Sequence, residues 1–444
     1  MKSLQSQWAK AEKESWWLSL AKKSDTFLFY LLILFLPTQL GKHFWPNFSF
    51  VLGSRVDYLS PTVYITDLII LLLFFASVIK RNVFVSWYFS LIMLFLGFVS
   101  FFATSPLLAW YGFVKFLELS FVVWYVARNT HKPFVVGVLL VLGTFTESFL
   151  AFFQVLHQGS IGGLFYFLGE RTFSGATPGV ANASVGGELI LRPYATFSHP
   201  NMLAGYVIVV VLLILYFLGT KRIASKLLIP SSLIVGTMAL MLSLSRVAIV
   251  SWILVGAVML CVVYREKKQK LFLFSSLLVV TTFLLTAVFF PASLERVLSF
   301  SFGESLTQRV ILAKNAVDII VSHPVLGVGL CNFIPSLPDV ARDGVILQPV
   351  HNIYLLVAAE TGLLGFMLFL FLIAALVRCL QRKWHQGSVD EKNKTLLLFL
   401  ALFTILFSGF FDHYFLTLQQ GQLSFALVIG LILRKNTTSA TIHK

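Results

Sequence analysis

Residues 200–219 read PNMLAGYVIVVVLLILYFLG, a run without one charged side chain, opened by a proline suited to the first turn of a helix. At about 1.5 Å per residue, a helix of that length spans roughly 30 Å, the thickness of the hydrocarbon core of a bilayer. In lipid such a helix satisfies its own backbone while its side chains meet hydrocarbon. The pattern recurs on both sides, with apolar runs near 26–40, 62–79, 83–103, 106–127 and 134–156 before it, and 224–243, 246–264, 271–290, 351–377, 395–411 and 418–433 after it. The expected fold is therefore all-α and polytopic, with about twelve transmembrane helices. Composition agrees: the 444 residues are 58% hydrophobic and 12% charged, with a mean hydropathy of +0.86, against roughly 45–50% and about 25% in an ordinary soluble domain.

The links between these runs fix an expected orientation. An even number of spans puts both termini on one side, and the clusters Lys80-Arg81, Arg128 to Lys132, Lys221 to Lys226, Arg265 to Lys270 and Arg378 to Lys394 fall on that same side. Of the 34 lysines and arginines, 24 lie there, nine lie opposite and Lys115 lies inside a run, so the basic side reads as cytoplasmic. The net charge of +15 thus reflects topology; no continuous basic face of the kind that tracks nucleic acid phosphates is present in the pattern.

Residues 1–25, with Lys10, Lys13, Trp16, Trp17, Lys22 and Lys23, read as an interfacial amphipathic segment on the cytoplasmic side. Residues 26–433 read as a single transmembrane domain, and 434–444 as a cytoplasmic tail. Two long extracytoplasmic loops are expected, 157–199 and 291–350. The first is rich in glycine and is expected to be mobile. The second alternates polar and apolar residues at helical spacing from Leu306 to Val321, then breaks at Pro324, Gly327 and Gly329, which makes it partly helical. Cys261, Cys331 and Cys379 are too scattered for a disulfide frame or a metal cluster.

Unusual residues gather on the outer side in four segments: Arg192 through His199-Pro-Asn201, Ser243-Leu-Ser245-Arg246, Arg309 through His323 to Gly329, and His351-Asn352-Ile-Tyr354. Arginine suits phosphate, because its planar fork gives paired, charge-assisted hydrogen bonds and keeps its proton. Histidine, with an ordinary pKa of about 6.5, can take a proton near neutral pH. Plainer roles compete with these. An arginine at a helix end anchors at headgroup level, His199 before Pro200 suits an N-terminal turn, and His323-Pro324 reads as structural. Within the runs, Lys115 and Glu118 are spaced to neutralise each other. Glu147 and Glu360 have no obvious local partner, and Asp412-His413-Tyr414 occupies a tight outer turn that either joins the site or faces solvent. The sequence contains no Asp-x-Asp pair, Walker loop, dinucleotide glycine fingerprint or His-Glu-x-x-His, so chemistry on soluble nucleotide-activated substrates is disfavoured.

The stretch Arg192 to Asn201, the Ser245-Arg246 turn, the run Arg309 to Gly329 and, above all, His351-Asn352-x-Tyr354-Leu355 continuing to Ala359-Glu360-x-Gly362-Leu363-x-Gly365 resemble the O-antigen ligase and polymerase family of bacterial envelope proteins. The resemblance spans about residues 190–430. It implies a GT-C-like membrane fold in the bacterial cytoplasmic (inner) membrane. It also implies an inverting glycosyltransferase that uses no metal and no cofactor, moving a glycan from undecaprenyl pyrophosphate to a lipid or glycan acceptor on the outer face. By the same resemblance His351 would activate the acceptor hydroxyl, and Arg192, Arg246 and Arg309 would hold the pyrophosphate. His199, Asn352, Tyr354 and Asp412 would contact donor or acceptor. Two positions depart from the family pattern: Ala313 stands where relatives carry tryptophan, and Cys331 where the glycine run has a third glycine. A ligase and a repeat-unit polymerase fit equally well. A transporter or flippase for a lipid-linked sugar is the alternative of another class; it would need polar groups lining a path at mid-membrane, and Lys115, Glu118, Glu147 and Glu360 are few for that.

Overall fold

The structure, a computed structural model, describes residues 24–78, 87–185, 188–219, 223–265, 280–284, 286–288, 291, 304–338 and 346–435. The expected N-terminal amphipathic segment up to residue 23, the basic clusters at 80–81, 221–222 and 266–270, and much of the expected span 271–290 lie outside the described residues.

The described chain is mostly helical. It runs α1 (Ser24–Leu34), α2 (Ile65–Val78), α3 (Trp87–Phe101), α4 (Pro106–Arg128), α5 (Pro133–His157), α6 (Pro200–Leu218), α7 (Ser225–Leu242), α8 (Arg246–Arg265), α9 (Glu304–Ser322), α10 (Ile353–Gln386), α11 (Val389–Ser408), α12 (Tyr414–Thr417) and α13 (Gln419–Leu433). Five of these, α4, α5, α6, α7 and α10, are long and apolar enough to cross a membrane, and shorter apolar helices include α1, α2 and α13.

Helix α6, formed by the stretch that opened the sequence argument, lies at the centre. Its side chains from Met202 to Ile214 are almost completely buried, the condition of a helix that is hydrophobic all round. It packs against α5, α7 and α11, and α13 packs along α4. The outward faces of α4 and α10 carry exposed Leu107, Val114, Met367 and Phe371, as lipid-facing surfaces do.

The connections at one end are less plain than an all-α reading expects. Three two-stranded antiparallel ribbons form there: β1 (Gly41–His43) with β4 (Thr62–Tyr64), β2 (Phe50–Val51) with β3 (Ser54–Arg55), and β5 (Asn182–Val185) with β6 (Glu188–Leu191). The glycine-rich loop is also tied down. Buried Glu147 of α5 accepts from both the amide and the hydroxyl of Thr196, and Glu170 accepts from Gln154 and from the amides of Ile161 and Gly162. These bonds supply the partner for Glu147 that the local sequence did not show.

A second feature positions the site. Helix α10 breaks at Gly362, whose φ of 66° and ψ of −175° belong to a region essentially reserved for glycine. The carbonyls freed at Ala359 and Glu360 accept from the amides of Val328 and Gly329, and the freed amide of Leu363 donates to Pro324. The segment Pro324–Gly329 is thus stitched across the break. The two glycine motifs that carry the family resemblance are two halves of one backbone joint.

Candidate functional site

The four outer segments meet at the ribbon-bearing end. His351 directly precedes α10, whose first turn is capped by Asn352: its side-chain oxygen accepts from the amides of Tyr354 and Leu355, and its amide donates to Phe410. The Tyr354 hydroxyl donates to Leu406, and its ring lies 4.4 Å from that of Phe410. Asn352 and Tyr354 therefore hold α10 against the end of α11, and through that contact they place His351.

Asp412, in the turn between α11 and α12, is the hub. Its carboxylate accepts from the Nδ2 amide of Asn201 at 2.8 Å and from the backbone amide of His413 at 2.9 Å. Asn201 in turn accepts from Arg192 at 2.6 Å, while Arg192 Nε donates to the carbonyl of Ser243 at 2.8 Å. That bond brings the Ser243–Arg246 turn beside the first segment; Arg246 opens α8 three residues further on. His199 caps α6 by accepting from the amide of Asn201 at 3.1 Å, the expected N-terminal turn. The rings of His351 and His413 pack edge to face at 5.2 Å, and Tyr58 stands edge-on to His413 at 5.5 Å.

Polar atoms in this constellation buried without a hydrogen-bond partner among the described residues include Nδ1 of His351, Nε of Arg309 and the Ser198 hydroxyl. A buried donor or acceptor left unpaired costs about 1–3 kcal/mol, so each of these atoms is open to a bond from a ligand or a water. Arg309 projects from the first turns of α9 and is near enough to lower the pKa of both His351 and His413.

The electrostatics keep the imidazoles neutral at pH 7. Burial lowers His351, Asp412 pulls it back up and Arg309 pushes it down. Burial and the Arg192 guanidinium hold His199 down at about 3, and burial holds His413 at about 4 against the pull of Asp412. Burial would raise Asp412, but His413, His351, His199 and the Asn201 amide outweigh it and bring it to about 2. At neutral pH the site is one carboxylate, neutral imidazoles and guanidinium groups.

If catalysis needs unprotonated His351, activity is present above its folded pKa and lost as pH falls through it, so the acid limb lies below 6.5. Arg309→Gln removes a lowering influence and moves the limb of the residual activity up; Asp412→Asn removes a raising influence and moves it down. Initial rates across pH 4.5–8 read both shifts, and coincident profiles would reject the assignment.

His351, Asp412 and His413 also offer ligand atoms that all lie within 4.8 Å of one another. A first-row cation with bonds of about 2.0–2.2 Å would need that trio drawn closer, beside the Arg309 charge. His413 Nδ1 is already engaged with Thr417 Oγ1 at 2.6 Å, leaving Nε2 as its outward atom. We expect a chelator to leave turnover unchanged; a loss restored by a divalent cation would make these three residues metal ligands.

Sequence reasoning did not place Tyr58 in the site and left His413 undecided with its turn. Tyr58 sits in a loop whose only local signal is a mixture of turn formers, and His413 resembles any polar turn residue until its ring is found against His351.

Fold and site together define a multi-pass membrane protein with a cationic, imidazole-bearing site among the loops at one end of its helices. Residues 231–370 match the O-antigen ligase family model, the family that the sequence motifs resemble. The match includes Arg246, Arg309 and His351, while Arg192, His199 and Asp412 fall outside it. No curated protein matches the chain.

Proposed function

We propose that the protein is an inverting membrane glycosyltransferase, moving a glycan from undecaprenyl pyrophosphate to an acceptor hydroxyl on the outer face of the cytoplasmic membrane. The observation that carries this reading is two unpartnered buried atoms, Nδ1 of His351 and Nε of Arg309, on residues close enough for the guanidinium to act on the imidazole, one suited to take a proton and the other to bind an anion. The apolar runs give about twelve spans and the positive-inside pattern supports both termini cytoplasmic and the site outside; a GT-C-like arrangement is what the family resemblance implies.

His351 removes the proton of the acceptor hydroxyl as its oxygen bonds to the anomeric carbon of the donor sugar. The bond from that carbon to the pyrophosphate oxygen breaks with inversion, and the electron pair leaves on the pyrophosphate. Arg309, with Arg192 and Arg246, stabilises the developing negative charge. Asp412 stabilises electrostatically the imidazolium that forms at His351. The guanidinium groups supply the positive charge that a metal would otherwise bring, so the chemistry needs neither metal nor cofactor. The same steps serve a ligase, which caps a lipid core, and a polymerase, which extends a repeat.

The test is reconstitution in vesicles with a lipid-pyrophosphate glycan donor and a hydroxyl acceptor. The expected result is glycosylated acceptor and free polyprenyl pyrophosphate released in equal amounts. Translocation of the donor without any glycosylation would replace this reading with the transporter.

A further inference from the structure

Helix α5 carries an apolar stripe on its outward face. Leu142, Phe145, Phe149, Phe153 and Leu156 follow one another at steps of three or four residues, and each is exposed. On a helix long and apolar enough to cross a membrane, such a stripe is the side that meets lipid. The stripe does not stop where the helix does. Beyond the left-handed C-cap at Gln158, Ile161 joins Phe153, Leu156 and His157 around an open hollow of about 320 Å³. Further on, Leu164 is 82% exposed and Phe167 67%, and no charged side chain occurs from Gln158 to Gly169.

The base of this loop is fastened. Glu170 accepts from the amides of Ile161 and Gly162 and so closes residues 161–170 into a compact turn, and the Thr38 hydroxyl donates to the carbonyl of Leu168. At Gly169, with φ at 104°, a Cβ would stand 2.8 Å from the Leu40 nitrogen and 2.9 Å from that of Gln39, so the turn is pressed against the link from α1 to β1. Gln154 donates to Glu170 and also accepts from the amides of Tyr194 and Ala195. One side chain thus joins the turn to the stretch that leads into His199. Phe165 already packs inward against the helix core, which leaves Leu164 and Phe167 outside.

We infer that residues 161–168 are an interfacial seat, whose apolar side chains enter the bilayer leaflet on the His351 side. Lipid is the occupant because the exposed surface of the turn continues the face of α5 that meets hydrocarbon, through the hollow shared by Ile161, Phe153 and Leu156. A protein partner is the weaker fit, since a protein interface carries a polar rim and this surface has no charge to build one. The depth follows from length. The 25 residues of α5 span roughly 37 Å, more than the roughly 30 Å of hydrocarbon, so its last turns reach the headgroup zone. A turn lying beside Phe153 and Leu156 then sits at the boundary of headgroups and acyl chains, about 5–10 Å deep, where aromatic rings such as Phe167 and Tyr166 are favoured. The seat is independent of the chemistry at His351.

The full chain is reconstituted in phosphatidylethanolamine–phosphatidylglycerol vesicles with the photoreactive residue p-benzoylphenylalanine in place of Leu164, of Phe167 or, in the polar part of the same loop, of exposed Ala176. After irradiation, mass spectrometry reads what each position has captured. Positions 164 and 167 are expected to give phospholipid acyl-chain adducts in at least about tenfold higher yield than position 176, since an interfacial seat keeps them against acyl carbons. Lipid adducts no more frequent than at position 176 overturn the inference, and capture of a second copy of the chain in place of lipid overturns it in favour of a protein contact. A second measurement needs no variant. Native protein in vesicles whose phospholipid carries a diazirine near the carboxyl end of the acyl chain is expected to be labelled within 161–168 as well as within 149–156, and labelling of 149–156 without 161–168 overturns the inference whatever the variants do.

Discussion

His351→Ala lowers glycan transfer by a factor of about 10²–10⁴, the range general-base catalysis supplies, and leaves the protein folded. The two halves of this expectation have separate grounds. Nδ1 of His351 has no partner among the described residues, so truncation strands no protein group through that atom. The start of α10 is capped by Asn352 and not by the histidine. The loss is therefore in kcat, because Arg192, Arg246 and Arg309 remain to bind the donor. Initial rates with reconstituted protein, together with thermal unfolding in detergent, read both parts. Undiminished turnover with unchanged unfolding would remove His351 from the mechanism.

Gly362→Ala is expected to cost the fold at least about 3 kcal/mol, a sum of backbone strain at positive φ and forced overlap. A Cβ at this position would come within 2.2 Å of the Val325 carbonyl oxygen and 2.6 Å of the Leu326 nitrogen. Both are backbone atoms of the stitched segment, so neither can swing aside as a side-chain tip would. Gly327 faces the same joint from the other strand: a Cβ there would lie 2.5 Å from the Glu360 carbonyl carbon and from the Gly362 nitrogen. Each substitution should lower the yield of folded protein and its unfolding temperature. Because both open one joint, the double variant should be less damaging than the sum of the singles. Native-like stability of Gly362→Ala would mean that the break in α10 does not exist as described.

The hydrophobic pattern made the long helices legible, because membrane solvation acts on each segment locally and leaves its trace in twenty consecutive residues. Pro200 and His199 announced the start of α6, and the Leu306–Val321 periodicity announced α9, seen as Glu304–Ser322. Contacts between distant segments left no such trace. Lys115 was expected to pair with Glu118; the structure adds Asp67 from α2 and Gln419 from α13. Glu360 looked partnerless because the amide it accepts from, Phe333, belongs to a loop far from it in sequence. Glycines at 327, 329 and 362 were visible as motif letters, but their meaning is a main-chain pairing between two elements, which no periodicity encodes. The glycine-rich loop read as mobile because composition says nothing of Glu147 and Glu170, whose carboxylates anchor it from below.

The stitched break in α10 also decides how the site can operate. Arg309 rides on α9, and the segment that follows α9 is fastened to the helix beginning just after His351 by the Val328, Gly329 and Leu363 main-chain bonds. Those bonds tie down the C-terminal end of α9 and oppose its swinging as a hinged flap. On the proposed mechanism, base and guanidinium would then hold their separation before any sugar arrives, so little reorganisation would remain for the moment of reaction, and it is the substrates that would travel and turn.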